Sequence, residues 1–402
     1  MDYDLVIIGA GPSGLSFACS LRDSGLNIAV IEKQSRQLLA DPPIDGRDIA
    51  LTHLSRKLMK QQGSWQRIDS RHVSPIKRAE VIDGESLYTL NFDTPSDETD
   101  ALGFLISNFR IRKAIFEEFD KLENATLMDA TEVSQVSSDD SGATVSLALG
   151  DNIRTSMIVA ADTRFSASRR QMGISSGLHD FGRTAIVCWM EHALSHHQTA
   201  FECFHYGRTL AVLPMPGNMS SIVVTAATDQ AEAILDMKRA TYNQDIEEHL
   251  NGRLGAMQQK GKRYPYPLVG VHANRFFAQR FALIGDAAVG MHPVTAHGFN
   301  LGLSGQDLLA DEISSSISQG GDFWHPTVLS RYQQKHMLST RPLYHGTNSI
   351  VSLFTNDSLP ATLLRKAALR LSNNLPPVKW AITQKLMAKN QIKSILPALL
   401  HR

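Results

Sequence analysis

The first 32 residues constrain this chain more than any other stretch. An apolar run, Asp4-Leu-Val-Ile-Ile-Gly9, enters Gly9-Ala10-Gly11-Pro12-Ser13-Gly14 and a short helical pattern. A second apolar run, Asn27-Ile-Ala-Val-Ile-Glu32, then ends in an acid. Gly9 allows a tight turn out of the strand, Gly11 lets the backbone approach a pyrophosphate, and Gly14 lets the next helix pack on the sheet. The helix start that contains Pro12 and Ser13 offers free N–H groups and a positive dipole end to negative charge. Glu32 follows Gly14 by 18 residues, where a carboxylate can accept hydrogen bonds from a ribose hydroxyl pair. Strand, turn, helix, strand and acid in register predict a dinucleotide-binding unit.

Composition narrows the class. A chain of 402 residues buries a large core and suits two interleaved domains or one elaborate one. A formal net charge of zero gives no sign of a nucleic-acid partner. The three cysteines, Cys19, Cys188 and Cys203, lack any paired spacing for a metal or a disulfide framework, which suits a reducing compartment. Cys19 falls in the first helix and reads as a small buried hydrophobe. The start Met1-Asp2-Tyr3-Asp4 has no basic region or cleavage site of a secretory signal, and no apolar run is long enough to span a bilayer. The expectation is a cytoplasmic protein, compatible with a peripheral place on the inner face of the cytoplasmic membrane.

One end is uneven in charge. From Pro360 to Arg402 there are eight basic residues and no Asp or Glu, with leucines, Trp380, Ile382 and Met387 at roughly helical spacing. Two readings stand at this point: a terminal helical hairpin with a solvated basic face, or an interfacial helix drawn to anionic lipid.

Residues 33–50 read as a long loop and 48–62 as a helix. Strands are expected around 74–93 and 101–107, a helix over 109–122, and further strands at Thr126–Val136, Ala143–Leu149 and Ile153–Ala160. The span 183–228 is rich in strand signals. Helical patterns at 229–238 and 243–257 precede strands at 268–277 and Phe281–Gly285, and a helix starts near Phe299. A nucleotide-binding unit thus opens the chain, a β-rich insertion fills the middle, and a strand near 281 returns to the first sheet.

Two further segments identify a family. Arg280-Phe-Ala-Leu-Ile-Gly285-Asp286 resembles the second nucleotide contact of flavoprotein hydroxylases, whose carboxylate reaches the ribityl chain of FAD. Met291-His-Pro-Val-Thr-Ala-His297-Gly298-Phe-Asn300-Leu-Gly302-Leu matches that family's flavin loop and the helix after it, whose dipole would stabilise reduced flavin. Both fingerprints, about 270 residues apart, are an FAD signature rather than a nicotinamide one. Asp162-Thr-Arg-Phe-Ser166-Ala-Ser-Arg169 resembles the family's middle motif. Asp45-Gly-Arg47 resembles a segment whose arginine approaches the flavin, and Asn108-Phe-Arg-Ile111 fits the start of the next helix. The chain is similar to class A flavin monooxygenases, and among them to the branch that hydroxylates the ring of ubiquinone precursors.

The fold implied is α/β (α+β overall): a Rossmann-like FAD-binding domain with an inserted β-sheet substrate domain and a helical C-terminus. Residues 1–70, 100–175 and 276–355 would form the discontinuous FAD-binding domain, 71–99 and 176–275 the substrate domain, and 356–402 the basic helical segment. FAD-binding residues would be Gly9, Gly11, Pro12, Ser13, Gly14, Glu32, Arg47, Asn108, Asp162, Gly285, Asp286, Gly298 and Asn300, with no metal. The resemblance further implies O2 as co-substrate, NAD(P)H or another reductant as donor, and a flavin C4a-hydroperoxide that transfers its distal oxygen to the ring. His297, in the flavin loop, is the candidate for proton relay. The implied partners are a polyprenylated phenol or quinone precursor, an anionic membrane surface and other ubiquinone-biosynthesis proteins.

The family usually has glycine where Ala160, Thr163 and Ala296 stand, and histidine where Val289 stands. Three readings therefore stay open: the quinone-precursor hydroxylase, a hydroxylase of a soluble phenol, and a non-catalytic flavoprotein subunit. None of these motifs marks a base that would activate the substrate.

Overall fold

Strand, helix and strand follow from the opening sequence as β1 (Tyr3–Ile8), α1 (Pro12–Ser20) and β2 (Ile28–Ile31). The structure, a computed structural model, describes residues 1–83, 89–94, 101–205, 207–291 and 297–355. The basic segment 356–402, the flavin-loop residues 292–296 and the side chain of His297 lie outside the described residues.

The next stretch contains α2 (Arg36–Ala40), β3 (Asp48–Leu51) and α3 (His53–Gln62). The expected helix over 48–62 is therefore a strand followed by a helix, divided at Thr52, whose hydroxyl accepts from the Ser55 N–H and caps α3. After β4 (Ser74–Ile76), β5 (Arg78–Asp83), β6 (Thr89–Asp93) and β7 (Gly103–Ser107) comes α4 (Asn108–Phe119). The single strand expected over 126–136 is two, β8 (Ala125–Met128) and β9 (Val133–Asp139), broken near Ala130 at φ 48°. Then come β10 (Gly142–Leu147), β11 (Asn152–Ala160) and α5 (Ala167–Gln171).

The middle of the chain supplies β12 (Ser176–His192), β13 (Thr199–His205), β14 (Arg208–Pro214), β15 (Met219–Ala227), α6 (Thr228–Asp236), α7 (Arg239–His249) and β16 (Met257–Ala273). The helical pattern expected to reach 257 stops at His249, because Asn251 and Gly252 turn left-handed at φ 50° and 66°. The chain closes with β17 (Phe277–Ala278), β18 (Phe281–Leu283), β19 (Val289–Gly290), α8 (His297–Ser318) and α9 (Pro326–Thr355).

These strands form three sheets. The first runs β17-β18-β11-β1-β2-β8, with the β9–β10 hairpin on β11. Its central strands β11, β1, β2 and β8 are parallel, and β18 joins β11 in parallel across more than 120 residues of sequence. β1 and β2 are buried along almost their whole length, as expected of parallel strands covered by helices on both faces. The second sheet runs β19-β16-β12-β15-β14-β13-β5-β6, and the third, β3-β7-β4, lies between them in sequence and space.

Two main cores match the two large sheets. One gathers β1, β2, α1, α4, β11, β18, α8 and α9 around Leu5, Ile7, Phe17, Phe276, Phe281 and Tyr332. The other lies between the second sheet and α6–α7, around Ile186, Cys188, Ile222 and Tyr242. Cys19 is buried, and burial pushes its thiol up to about 12, as a small core residue rather than a reactive one.

Candidate functional site

The glycine turn after β1 is built by steric exclusion. Gly9 takes φ +106°, and a Cβ there would stand 2.5 Å from the Ala161 carbonyl oxygen. A Cβ on Gly14 would stand 2.0 Å from the Gly9 oxygen, so α1 sits against the turn only because position 14 is bare. Gly11 differs from both. Its backbone is ordinary extended (φ −71°, ψ 176°), and a Cβ there would meet nothing within 4 Å. Among the described residues no side chain caps α1, so its first N–H groups are left for other acceptors.

Glu32, at the end of β2, is aimed back at this turn. One carboxylate oxygen accepts from the Ala10 N–H at 2.8 Å and the other from the Gln34 N–H at 2.9 Å. Each oxygen keeps a lone pair for a further donor.

Segments far apart in sequence converge here. A Cβ on Gly285 would lie 2.6 Å from the Ser13 hydroxyl, and one on Gly302 would lie 2.8 Å from it. Ser13 therefore fills a niche that exists because two distant residues lack side chains. Pro12 opens α1, Gly285 turns the chain after β18 at φ +59°, and Asp286 follows in a short 3₁₀ turn. Asp286 stays part-exposed and accepts from Arg164 at 2.9 Å, while Arg164 also donates to the Val269 carbonyl at 2.9 Å. Arg164 belongs to the middle motif, but its contact with Asp286, 122 positions away, is set by the fold.

The middle motif supports that turn. Ser166 caps α5, and its hydroxyl donates to Asp162 Oδ2 at 2.9 Å. Buried Arg169 donates to the carbonyls of Ala287 at 2.8 Å and Arg164 at 3.1 Å. Among the described residues Asp162 Oδ1 is buried without a hydrogen-bond partner, a state that costs stability until a donor arrives.

A second cluster lies where the third sheet meets the second. The Arg47 guanidinium pairs with Asp45 at 2.7 Å and lies 5.2 Å from the centroid of the Tyr266 ring. Asn108 donates to the same Asp45 carboxylate at 2.7 Å, and the Tyr266 hydroxyl donates to the Asp45 carbonyl at 2.6 Å. Asp48 bridges the sheets, accepting from Ser107 at 2.6 Å and from the Trp189 indole at 2.7 Å. Burial raises the Asp48 pKa, and hydrogen bonds from Ser107, Ser221 and Trp189 work against that rise. Nothing in the local sequence marked Asp48 or its pairing with Trp189, 141 positions away.

α8 begins beside this cluster. Gly298 is open, with nothing within 4 Å of a would-be Cβ. Asn300 accepts from the Thr52 N–H at 3.0 Å and donates to the Ala50 carbonyl at 2.9 Å. Its amide thus pins the β3–α3 turn to the start of α8.

The departures from the family pattern are accommodated without strain where they are described. Ala160 is fully buried in β11, pairing with Ile8 of β1 and Leu283 of β18. Thr163 is not among the residues of positive φ, and its hydroxyl accepts from the Phe165 N–H at 3.2 Å. Val289 pairs with His272 between β19 and β16. Ala296 lies outside the described residues.

Comparison with known proteins agrees with this arrangement. Residues 2–336 match the family model described as FAD binding domain. The chain is 46% identical over 387 residues to the ubiquinone hydroxylase UbiM of Neisseria meningitidis, covering 95% of this chain and 84% of that protein. It is 31% identical over 376 residues to the ubiquinone hydroxylase UbiL of Rhodospirillum rubrum, covering 94% and 87%. The solved structure of p-nitrophenol 4-monooxygenase PnpA from Pseudomonas putida is similar, with a TM-score of 0.76 at 18% identity over 96% of this chain and 99% of that one. At that identity the likeness speaks for the fold alone.

Proposed function

The chain belongs to the FAD-binding-domain family of class A flavin monooxygenases, and from that premise we propose that it hydroxylates the aromatic ring of a polyprenylated ubiquinone precursor. The observation that carries the reading is the 46% identity to a ubiquinone hydroxylase over 95% of the chain, which includes the second sheet as well as the nucleotide-binding one.

The residues described fit FAD. An open Gly11, uncapped N–H groups on α1, a carboxylate at the end of β2 and the orphaned Asp162 Oδ1 suit a ligand bearing phosphates and hydroxyls. In this reading Gly9, Gly11, Pro12, Ser13 and Gly14 cradle the diphosphate, Glu32 accepts from ribose, and Gly285 with Asp286 meets the ribityl chain. Arg164 keeps Asp286 oriented, because its guanidinium is itself anchored on a carbonyl. Arg47, Asn108, Gly298 and Asn300 border the flavin, Asp162 offers it an acceptor, and His297 relays a proton at the start of α8. Bound and reduced, the flavin supplies the activation of O2 for transfer of one oxygen atom. The chain's own task is to place the ring, exclude water and manage the phenolic proton.

The first sheet with its helices forms the FAD-binding domain in this reading, and the second sheet the substrate domain. NAD(P)H or another reductant would supply the electrons, without a second glycine-rich unit in the chain. Among the described residues no helix is long and apolar enough to cross a membrane. A quinone precursor resides in the bilayer, so the basic composition of 360–402 supports docking on anionic lipid, on the inner face of the cytoplasmic membrane and beside other enzymes of the pathway. Removing those residues should release the protein from anionic liposomes with its flavin spectrum intact; undiminished liposome binding would reject the docking role.

Mass spectrometry of quinone lipids from aerobic cells lacking this gene tests the main proposal. A prenylated precursor short of one ring oxygen is the expected result. An unchanged quinone profile in cells with no second hydroxylase would overturn it.

A further inference from the structure

The two faces of the second sheet are covered differently. Opposed residues on paired strands share a face, so register sorts them. Ile186, Cys188, Leu210, Val212, Ile222 and Val224 face α6 and α7, where they pack with Ile234, Tyr242 and Ile246. The opposite face carries the row Val187–Val223–Ala211–Glu202–Val81, each residue in register with the next. The neighbouring row on that face holds Trp189, Ser221 and Leu213, continued by the pair Ala200 and Ala79. This face looks at the FAD-binding half. Trp189 reaches Asp48 there, and Ala79, Val81, Ala200 and Leu213 pack on a cluster that includes Ile76 and Leu105.

From Val187 to Val81 every other member of Glu202's row is Val or Ala, and register continues the row to Tyr264 and Leu90. Glu202 is half-buried, and among the described residues it has no hydrogen-bond or ion-pair partner. Burial alone pushes its carboxyl up to about 8, with no neighbouring charge or donor acting on it. An unpaired carboxyl against an apolar sheet lowers the stability of the free protein, and a polar ligand group that displaces water can satisfy it.

We propose that Glu202 is the hydrogen-bond partner of the substrate's ring hydroxyl, in a substrate pocket between the second sheet and the FAD-binding half. This rests on the phenolic-ring reading above. The apolar row seats the ring and its prenyl neighbour, and the lone carboxyl selects a ring that bears a hydroxyl. With Glu202 in its carboxylate form, proton transfer breaks the phenolic O–H bond and forms an O–H bond on Glu202, leaving the negative charge on the phenolic oxygen; the protonated form instead donates its hydrogen bond to that oxygen. No electrons leave the pair, and the proton returns to the hydroxyl of the product. A carboxyl near 8 lies within about two units of a phenol near 10, so the proton is shared at little cost.

The test uses the holoprotein and two probes, 2-geranylphenol and its methyl ether, with Kd read from the change in flavin absorbance on titration. The wild type should bind the phenol at least about tenfold more tightly than the ether. Glu202→Leu should bind the two alike, with ether affinity within about twofold of wild type and a raised melting temperature, because the unpaired carboxyl is gone. Glu202→Gln should keep part of the preference. A Glu202→Leu protein that folds, holds flavin and still prefers the phenol as strongly as wild type would overturn the assignment. A wild type that binds neither probe would remove the phenolic-ring reading, and the assignment with it.

Discussion

Gly11 offers the sharpest way to separate a residue kept for a ligand from one kept for the fold. Its torsions are open to any residue, and a Cβ would touch no protein atom within 4 Å. In the flavin-free protein, Gly11→Ala has two opposing effects. Restricting the unfolded chain stabilises by about 0.4–1 kcal/mol. Replacing glycine by alanine at a helix N-cap costs a comparable amount, roughly 0.5–1 kcal/mol. The apoprotein should therefore change by less than about 0.5 kcal/mol in urea unfolding. The holoprotein should behave differently, because the added methyl fills the space a diphosphate needs. If FAD affinity falls tenfold, free FAD at 100 times the wild-type Kd stabilises the variant by about 1.4 kcal/mol instead of about 2.7. Gly11→Val should deepen the loss. Paired urea titrations with and without FAD, with flavin content read by absorbance, measure both numbers. An apoprotein weakened by more than about 2 kcal/mol, or a variant with undiminished FAD affinity, would refute the reasoning.

Gly14→Ala should do the reverse, lowering apoprotein stability by about 1–3 kcal/mol or more, since its Cβ would press on the Gly9 carbonyl at 2.0 Å; urea unfolding checks this. The thiols of Cys19, Cys188 and Cys203, all buried and raised to about 12, 11 and 12, should resist a thiol reagent at pH 8 until denaturant is added, as colorimetric titration would show. His336 is buried against Gly305 and the Tyr332 ring, and burial takes its pKa down to about 3 from 6.5. The unfolded chain then binds the proton more readily, so the stability contributed is full above pH 6.5 and lost as pH falls toward 3. The slope is up to about 1.4 kcal/mol per pH unit, and His336→Gln should flatten it in unfolding curves taken between pH 4 and 7.

Fold and site were not equally readable from the chain. The β1–α1–β2 unit and the return of β18 to the first sheet each appear where the sequence predicts them. Boundaries were less legible. Thr52 divides the expected 48–62 helix by capping α3, and Ala130 divides a strand by turning left-handed, details that hydrophobic periodicity does not carry. Of the family departures, Ala160 and Thr163 stand where the family usually has glycine, yet neither has the positive φ that would require glycine.

The amino-acid sequence by itself determined the cofactor class, because a glycine turn, a helix start and a carboxylate act over a few neighbouring residues, and a short motif can encode them. Only tertiary structure decided which distant groups meet. Ser13 fits between Gly285 and Gly302, Asp48 reaches Trp189 across two sheets, and Glu202 faces the FAD-binding half because β13 pairs with β5 in one register. A shift of one residue in that pairing would turn Glu202 to the other face. Register between strands more than 100 positions apart is set by the packing of whole faces, and no local stretch of the chain contains it.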